Sequence, residues 1–351
     1  MGLTGFTART VMIGAAGALV LSYLSIFCNP AKVWFMTLFG LLYLPFLIVN
    51  VALAVLAIIR SSKTLWIPVL ALLPSLFIFE RSVQISGSSE VPAPGDIKVI
   101  TWNLDRFNNL SAGKAACQDS VFRFLRAQDA DIICLQEMYI APGQSIEELF
   151  GRVFPSYNLE YYLFTPKSGS FGNVTLSRFP ILNKGKISFE NSTNVAIYGD
   201  YDIASDTIRI YNCHFQSYNI SLARLGASVK RKGSSETIRD TETKMRSSLR
   251  LRPKQVDAVI KSIGSCPLDA FVAGDFNDTP MSYTYWKLSR GRDDSFITAG
   301  KGFGETYSWL RPLLRIDYLL CPRSLRAISH KVENVNYSDH YPVIATFRKN
   351  D

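Results

Sequence analysis

Six short stretches end apolar runs in residues that can ligate a cation, donate a hydrogen bond or move a proton. "TWNL" places Asn103 just past one run, and "LQE" places Glu137 just past another. "NCHFQS" offers His214, and "GDFND" offers Asp275 and Asn277. "RIDYLL" sets Asp317 at the start of a run, and "SDHYPV" sets Ser338, Asp339 and His340 just before one. Gly, Asn and Asp are also common turn formers. In GDFND the two readings are compatible, because a turn can aim Asp275 and Asn277 into one pocket and leave Asp278 to turn chemistry. The chain has three histidines, and two of them, His214 and His340, lie in these stretches.

Glu137 and the other hard oxygen donors suit Mg²⁺ or Mn²⁺. The scarcity of histidine and the lack of cysteine ligand spacing disfavour zinc. A hard cation polarises a phosphoryl oxygen and stabilises a leaving oxyanion. An aspartate orients or deprotonates water. A neutral asparagine donates to phosphate without adding repulsion, and a histidine held by a carboxylate keeps one tautomer. Together these parts describe metal-assisted hydrolysis of a phosphate ester. The chain has no GxxxxGK[ST] loop for a nucleoside triphosphate and no GxSxG elbow.

Such residues need a rigid scaffold that leaves strand ends open. The pattern over residues 96–351 alternates strand-like runs with helical stretches, which predicts a layered α/β domain. Strands are expected at 97–101, 131–136, 173–177, 194–204, 207–213, 269–274, 316–320 and 343–347, and helices at 115–127, 144–152, 249–263 and 281–289. "SVQISGSSEVPAPG" (82–95) reads as a linker. The net charge of +9 suits anionic partners. Residues 221–254 concentrate basic side chains, from Arg224 through Lys230, Arg231 and Lys232 to Lys254. They read as a nucleic-acid or anionic-membrane contact, or as a solvated loop entering an amphipathic helix.

The first 81 residues differ. Uncharged stretches at 10–27, 33–59 and 65–79 predict a transmembrane region of about three helices, the third short and interrupted by Pro68 and Pro74. No small-x-small cleavage site follows the first, and Phe27 before Cys28 fits a lipidation site poorly. Arg9, Arg60 and Lys63, against Lys32, put the N-terminus in the cytoplasm and the chain after Phe79 outside, in a bacterium the periplasm. Six scattered cysteines without CxxC sit awkwardly in an oxidising compartment.

The six stretches, in this order, resemble the endonuclease/exonuclease/phosphatase superfamily over about residues 96–351, in particular a membrane-anchored bacterial member. The resemblance implies a DNase I-like four-layer α/β sandwich, two packed β-sheets flanked by helices, here preceded by the transmembrane region. It implies a Mg²⁺-dependent phosphoesterase, with Mn²⁺ as substitute, acting as a nuclease or a phospholipid or sphingolipid head-group hydrolase. Glu137 would be the main metal carboxylate, with Asn103 and Asp339. Asp275 would activate water, Asn277 bind phosphate, and His340, oriented by Asp317, stabilise the transition state. His214 would bind phosphate or serve the leaving group, although no acidic partner for it is evident. Asn173 and Arg178 would bind substrate, with Arg178 equally readable as an ordinary surface arginine; Thr306 would lie beside the site, and Arg252 and Gln255 would pack or cap. The alternative from another class is a catalytically silent membrane receptor for a phosphorylated ligand.

Overall fold

The computed structural model describes residues 3–88, 90–109, 111–203, 206–218, 234–308 and 313–350. Arg224 and Lys230 to Lys232 of the basic stretch lie outside the described residues. The chain divides into two compact units, one of Met1–Ser82, Ser217–Pro253 and Asp278–Lys287, the other of Val83–Gln216, Lys254–Asn277 and Leu288–Asp351.

The second unit carries two six-stranded sheets. One has the order β11-β12-β1-β2-β4-β3, built from β1 (Ile97–Asn103), β2 (Ile132–Ile140), β3 (Asn158–Phe164), β4 (Ser170–Ser177), β11 (Leu325–Val332) and β12 (Val343–Lys349). The other has the order β5-β6-β7-β8-β10-β9, from β5 (Ile181–Ser188), β6 (Val195–Ile203), β7 (Asp206–His214), β8 (Asp269–Asp275), β9 (Arg292–Asp294) and β10 (Asp317–Pro322). Each sheet is mixed: β1 runs parallel to β2 and β7 parallel to β8, and the other pairs are antiparallel.

Side-chain alternation along a strand sorts the residues into layers. Ile97 and Val99 of β1, Ile132 and Cys134 of β2, Ile208 and Ile210 of β7, Phe271 and Ala273 of β8, and Leu319 and Cys321 of β10 form the core between the sheets. The residues out of phase, Ile100 and Trp102 of β1 and Ile133 and Leu135 of β2, pack on Val121, Phe122 and Leu125 of the Lys114–Gln128 helix and on Leu149 and Phe150 of the Ile146–Val153 helix. The expected four-layer sandwich is therefore present. Continuing the inward phase along each strand reaches Asn103, Gln136, Asn212, His214, Asp275 and Asp317. The inter-sheet face is apolar for most of its length and polar at one end.

The 82–95 segment is pinned rather than loose. Gln84 bridges to Gly302, Glu90 N–H donates to Ile328 O at 3.0 Å, and the Glu90 carboxylate takes Arg326 and Arg348.

The first unit is helical, with α1 (Leu3–Ser25), α2 (Met36–Leu41), α3 (Tyr43–Ile59) and α4 (Trp66–Leu72). Among the described helices, only Phe6–Ser25 is both long and apolar enough to cross a membrane. The expected span at 33–59 is interrupted at Leu42, because Pro45 has no N–H to donate one turn back. The segment at 65–79 is a seven-residue helix followed by a 3₁₀ turn beginning at Leu73, which Pro74 enforces. Polar groups face inward. The Tyr23 hydroxyl lies 2.9 Å from Ala71 O and 2.6 Å from Ser75 Oγ, and Asn50 Nδ2 donates to Ala15 O at 3.0 Å. Apolar side chains face outward, including Ile48, Val51, Val55 and Ile59 of α3. In the same unit, Ser25 Oγ donates to Met281 O at 2.8 Å, and a Cβ on Gly40 would sit 2.2 Å from that carbonyl.

Candidate active site

Strand register assembles the polar end. Asp317 pairs with Asp275 across β10 and β8, His214 pairs with Asp275 across β7 and β8, and Asn103 pairs with Gln136 across β1 and β2. Gly274 permits this. Its φ is 131°, and a Cβ there would meet Cys213 O at 1.9 Å.

Asp275 is the hub and is fully buried. Its Oδ1 accepts the Asn277 N–H at 2.8 Å, and its Oδ2 accepts Asn103 Nδ2 at 2.9 Å and Asn277 Nδ2 at 3.0 Å. His214 Nε2 and His340 Nε2 each stand 3.8 Å from Oδ2. His340 Nδ1 is 2.9 Å from Asp317 Oδ2, which fixes the tautomer and turns Nε2 toward Asp275. Ser338 Oγ donates to Asn103 O at 2.7 Å and accepts the His340 N–H at 3.1 Å, tying the last stretch to the first. Thr306 Oγ1 accepts the Asp317 N–H at 3.1 Å. Beneath the site, Gln136 Nε2 donates to Asn212 Oδ1 at 2.8 Å, and Asn212 Nδ2 donates to Val174 O at 3.0 Å, so side-chain amides link the two sheets.

The electrostatics are those of crowded carboxylates. Burial, then Asp339, then Glu137 push Asp105 up to about 6. Burial raises Asp339, with Glu137 and Asp275 adding to it against His340. Burial also raises Asp275. Burial pulls His340 down, but Asp317 and Asp275 outweigh it and hold the imidazolium well above its ordinary value. Glu137 is 3.7 Å from His214 Nε2, and its Oε2 accepts Arg106 Nε at 2.9 Å. His214 thus has Glu137 as the acidic neighbour that sequence reading could not place. Glu137 lies close enough to Asp339 to raise it, and Asn103 Oδ1 accepts the Asp105 N–H at 3.0 Å; two carboxylates and an amide oxygen are donor types that fit a hard divalent cation. Donor atoms of Asp275, Asp317 and His340 also lie within 4.8 Å of one another. There, however, Asp317 and His340 bind each other.

The structure brings together Asn103, Glu137, His214, Asp275, Asn277, Asp317, Asp339 and His340. It does not bring Arg178. That side chain pairs with Asp129 and Asp131, at the start of β2, whereas Glu137 lies toward the other end of the strand. Asn173 is buried, and both its amide hydrogens go to backbone carbonyls, Val195 O at 3.0 Å and Asn212 O at 3.1 Å, so it joins strands rather than facing substrate. Gln255 Oε1 accepts the Gln216 N–H at 2.8 Å, the packing role expected of it. The third histidine, His330, is half-buried beside Ser295, away from the site, and burial of its ring lowers it to about 4. Sequence reading missed Asp105, Arg106 and Tyr307, whose ring centroid is 4.8 Å from that of His340. Asp105 was within reach of the same strand-end rule, two residues past Asn103.

Comparison with known proteins agrees with this geometry. The profile of the Endonuclease/Exonuclease/phosphatase family matches residues 100–340, and that of Domain of unknown function (DUF8431) matches residues 6–82. Among curated proteins, no sequence matches this chain. Similar solved structures include the human Nocturnin catalytic domain with bound sulfate anion, at 16% identity and a TM-score of 0.54, covering 73% of this chain and 94% of that one. An endonuclease/exonuclease/phosphatase from Beutenbergia cavernae aligns at 17% identity and a TM-score of 0.52, covering 73% and 72%. D. rerio TDP2 complexed with single strand DNA product aligns at 17% identity and a TM-score of 0.50, covering 72% and 99%. With two packed sheets in the DNase I-like arrangement and a profile match across most of the chain, this protein belongs to the Endonuclease/Exonuclease/phosphatase family.

Proposed function

We propose that this protein is a membrane-associated, Mg²⁺-dependent phosphodiesterase. The observation that carries the reading is the Asp275 hub, a buried carboxylate held by two asparagines and faced by two imidazoles at 3.8 Å. Three hydrogen bonds fix its oxygens, so a water placed beside it meets a pre-oriented acceptor. Burial raises the Asp275 carboxyl, which favours proton acceptance from a water beside it. His340, kept charged by Asp317, faces the place where negative charge builds on a five-coordinate phosphorus. His214, bridging the space between Asp275 and Glu137, is placed to donate to a phosphate oxygen or to the departing one. Glu137, Asn103 and Asp339 would hold the cation. When bound, it supplies Lewis-acid polarisation of a phosphoryl oxygen and charge for the leaving group.

The single-strand DNA product of the TDP2 structure and the sulfate of the Nocturnin structure belong to those proteins. With the net charge of +9 they put nucleic acid first in the substrate panel. The outward apolar face of the helical unit puts phospholipid and sphingolipid head groups second. The same face and the Phe6–Ser25 helix support membrane association.

The test is turnover by the full-length protein against single-stranded DNA, RNA, sphingomyelin, phosphatidylinositol phosphates and simple phosphomonoesters. Cleavage of a diester should vanish in EDTA, return with Mg²⁺, and fall by about 10²–10⁴-fold in Asp275→Asn. Tight binding of one of these compounds without turnover would replace the enzyme reading with that of a receptor.

A further inference from the structure

The turn after Asn103 is the least expected backbone at the site. Asp105, Arg106 and Phe107 have φ of 42°, 51° and 59°, and Glu137 has 49°. Successive non-glycine residues in the left-handed region are costly and persist only where contacts over-determine them. Here they do. Phe107 is fully buried with its ring edge-on to Phe122, and Lys114 Nζ donates to Arg106 O and Asn108 Oδ1 at 2.5 Å each. What this turn delivers is the Arg106 guanidinium. Its Nε donates to Glu137 Oε2 at 2.9 Å, its Cζ lies 3.8 Å from the Phe171 ring centroid, and its side chain keeps 40% exposure.

We propose that Arg106 is a substrate-phosphate ligand whose guanidinium competes with a divalent cation for the Glu137 carboxylate and turns to the phosphate ester when the cation takes it. This rests on the phosphodiesterase reading above. A guanidinium and a dication compete for one carboxylate, and like charges beside each other repel. Once displaced, Arg106 is still held in plane by Phe171, because stacking on a ring does not depend on Glu137. The anion then nearest is the phosphate ester, and the guanidinium fork matches two of its oxygens. Alongside the turn lies a cavity of about 900 Å³ whose lining includes Phe107, Lys114, Tyr139, Gln144 and Arg152. Two cations, Lys114 and Arg152, against the one carboxylate of Glu148, with the rings of Phe107 and Tyr139, suit the continuation of a phosphodiester beyond the reacting group.

The experiment is titration calorimetry on the full-length protein with Mn²⁺ alone, then with inorganic phosphate in saturating Mn²⁺. Wild type, Arg106→Gln and Arg106→Lys are compared. Arg106→Gln should bind Mn²⁺ several-fold more tightly, because the competitor is gone, and phosphate about tenfold more weakly. Arg106→Lys keeps a charge but not the fork, so it should restore the metal competition and leave phosphate binding weak. Unchanged or weaker Mn²⁺ binding by Arg106→Gln, or unchanged phosphate binding, overturns the assignment and leaves the phosphodiesterase reading standing. A wild-type protein that binds neither probe overturns both.

Discussion

His340 and Glu160 show how burial works in opposite ways on single residues. His340 is buried between Asp317 and Asp275 and holds its proton well above the ordinary value. A histidine with a raised folded pKa contributes stability that is complete below its unfolded value and is lost as pH rises through the folded one. Asp317→Asn keeps the shape and removes the charge. Turnover should fall on the order of 10²–10³-fold, and the alkaline limb of the pH–rate profile should move to lower pH. An unmoved limb would mean that His340 does not act as an imidazolium. For Glu160 of β3, burial outweighs the Tyr201 hydrogen bond and the pull of Lys184. Its carboxyl lies buried against the Tyr201 hydroxyl, 2.9 Å away, and burial raises it from 4.5 to about 7. Its native state binds the extra proton, so stability should decline as pH rises from about 4.5 to 7, by on the order of 3 kcal/mol. Melting temperature followed across that window should slope downward in wild type and flatten in Glu160→Gln.

At the scale of elements, legibility in the sequence followed position in the sheets. The eight strands expected from apolar runs are the eight interior strands, and the four that were missed, β3, β5, β9 and β11, are the four edges. An edge strand packs on fewer neighbours and tolerates charge, as in "ILNKGKIS" of β5, so it leaves no continuous apolar run. The site was legible because strand ends mark themselves with polar residues after apolar ones. The Asp105–Phe107 turn was not, because no glycine announces its left-handed backbone. Arg178 misled because an arginine after a strand looks the same at either end of a sheet. The Ser234–Gly264 helix begins well before the expected 249, since its first turns carry no apolar stripe in sequence, and Pro253 falls inside it. Next to that proline, Arg252 pairs with Asp278 at 2.9 Å, and both are 1% exposed. Tyr218 and Thr284 donate to the same carboxylate at 2.6 Å and 2.8 Å. Arg252, Tyr218, Thr284 and Asp278 all belong to the first unit, and the pair is buried within it. Asp278→Ala would strand a buried guanidinium and should cost about 3–5 kcal/mol in denaturant unfolding. Asp278→Asn, which keeps the two hydroxyl partners, should cost less. Equal losses would show that the charge pairing with Arg252, and not the two hydroxyl hydrogen bonds, carries the stability of this position.

For the molecule as a whole, composition separated an apolar N-terminal region from a family domain, and the helical unit pairs an apolar core around Leu19, Ile26 and Leu47 with an apolar outer face. Leu47, Asn50, Ala54 and Ala57 of α3 are buried, while Ile48, Val55 and Ile59, in phase at seven and four residues, are exposed at 63%, 50% and 74%. Such a helix turns Asn50 and two alanines, with Tyr43 and Leu47, to its neighbours and a row of large aliphatic residues away. That is the arrangement hydrocarbon favours and water does not. If lipid covers that face, charge placed on it meets hydrocarbon, at about 2.5–3.5 kcal/mol for each lysine near the centre of a spanning helix. Ile48→Lys with Val55→Lys should therefore shift the protein out of the carbonate-resistant membrane fraction. The substitutions leave the buried side of α3 untouched, so the helical unit itself should still fold. Turnover of a water-soluble diester by the released protein would then separate anchoring from chemistry. If the doubly substituted protein instead remained in the washed membrane, α3 would not be the lipid-facing element, and the Phe6–Ser25 helix alone would carry the attachment.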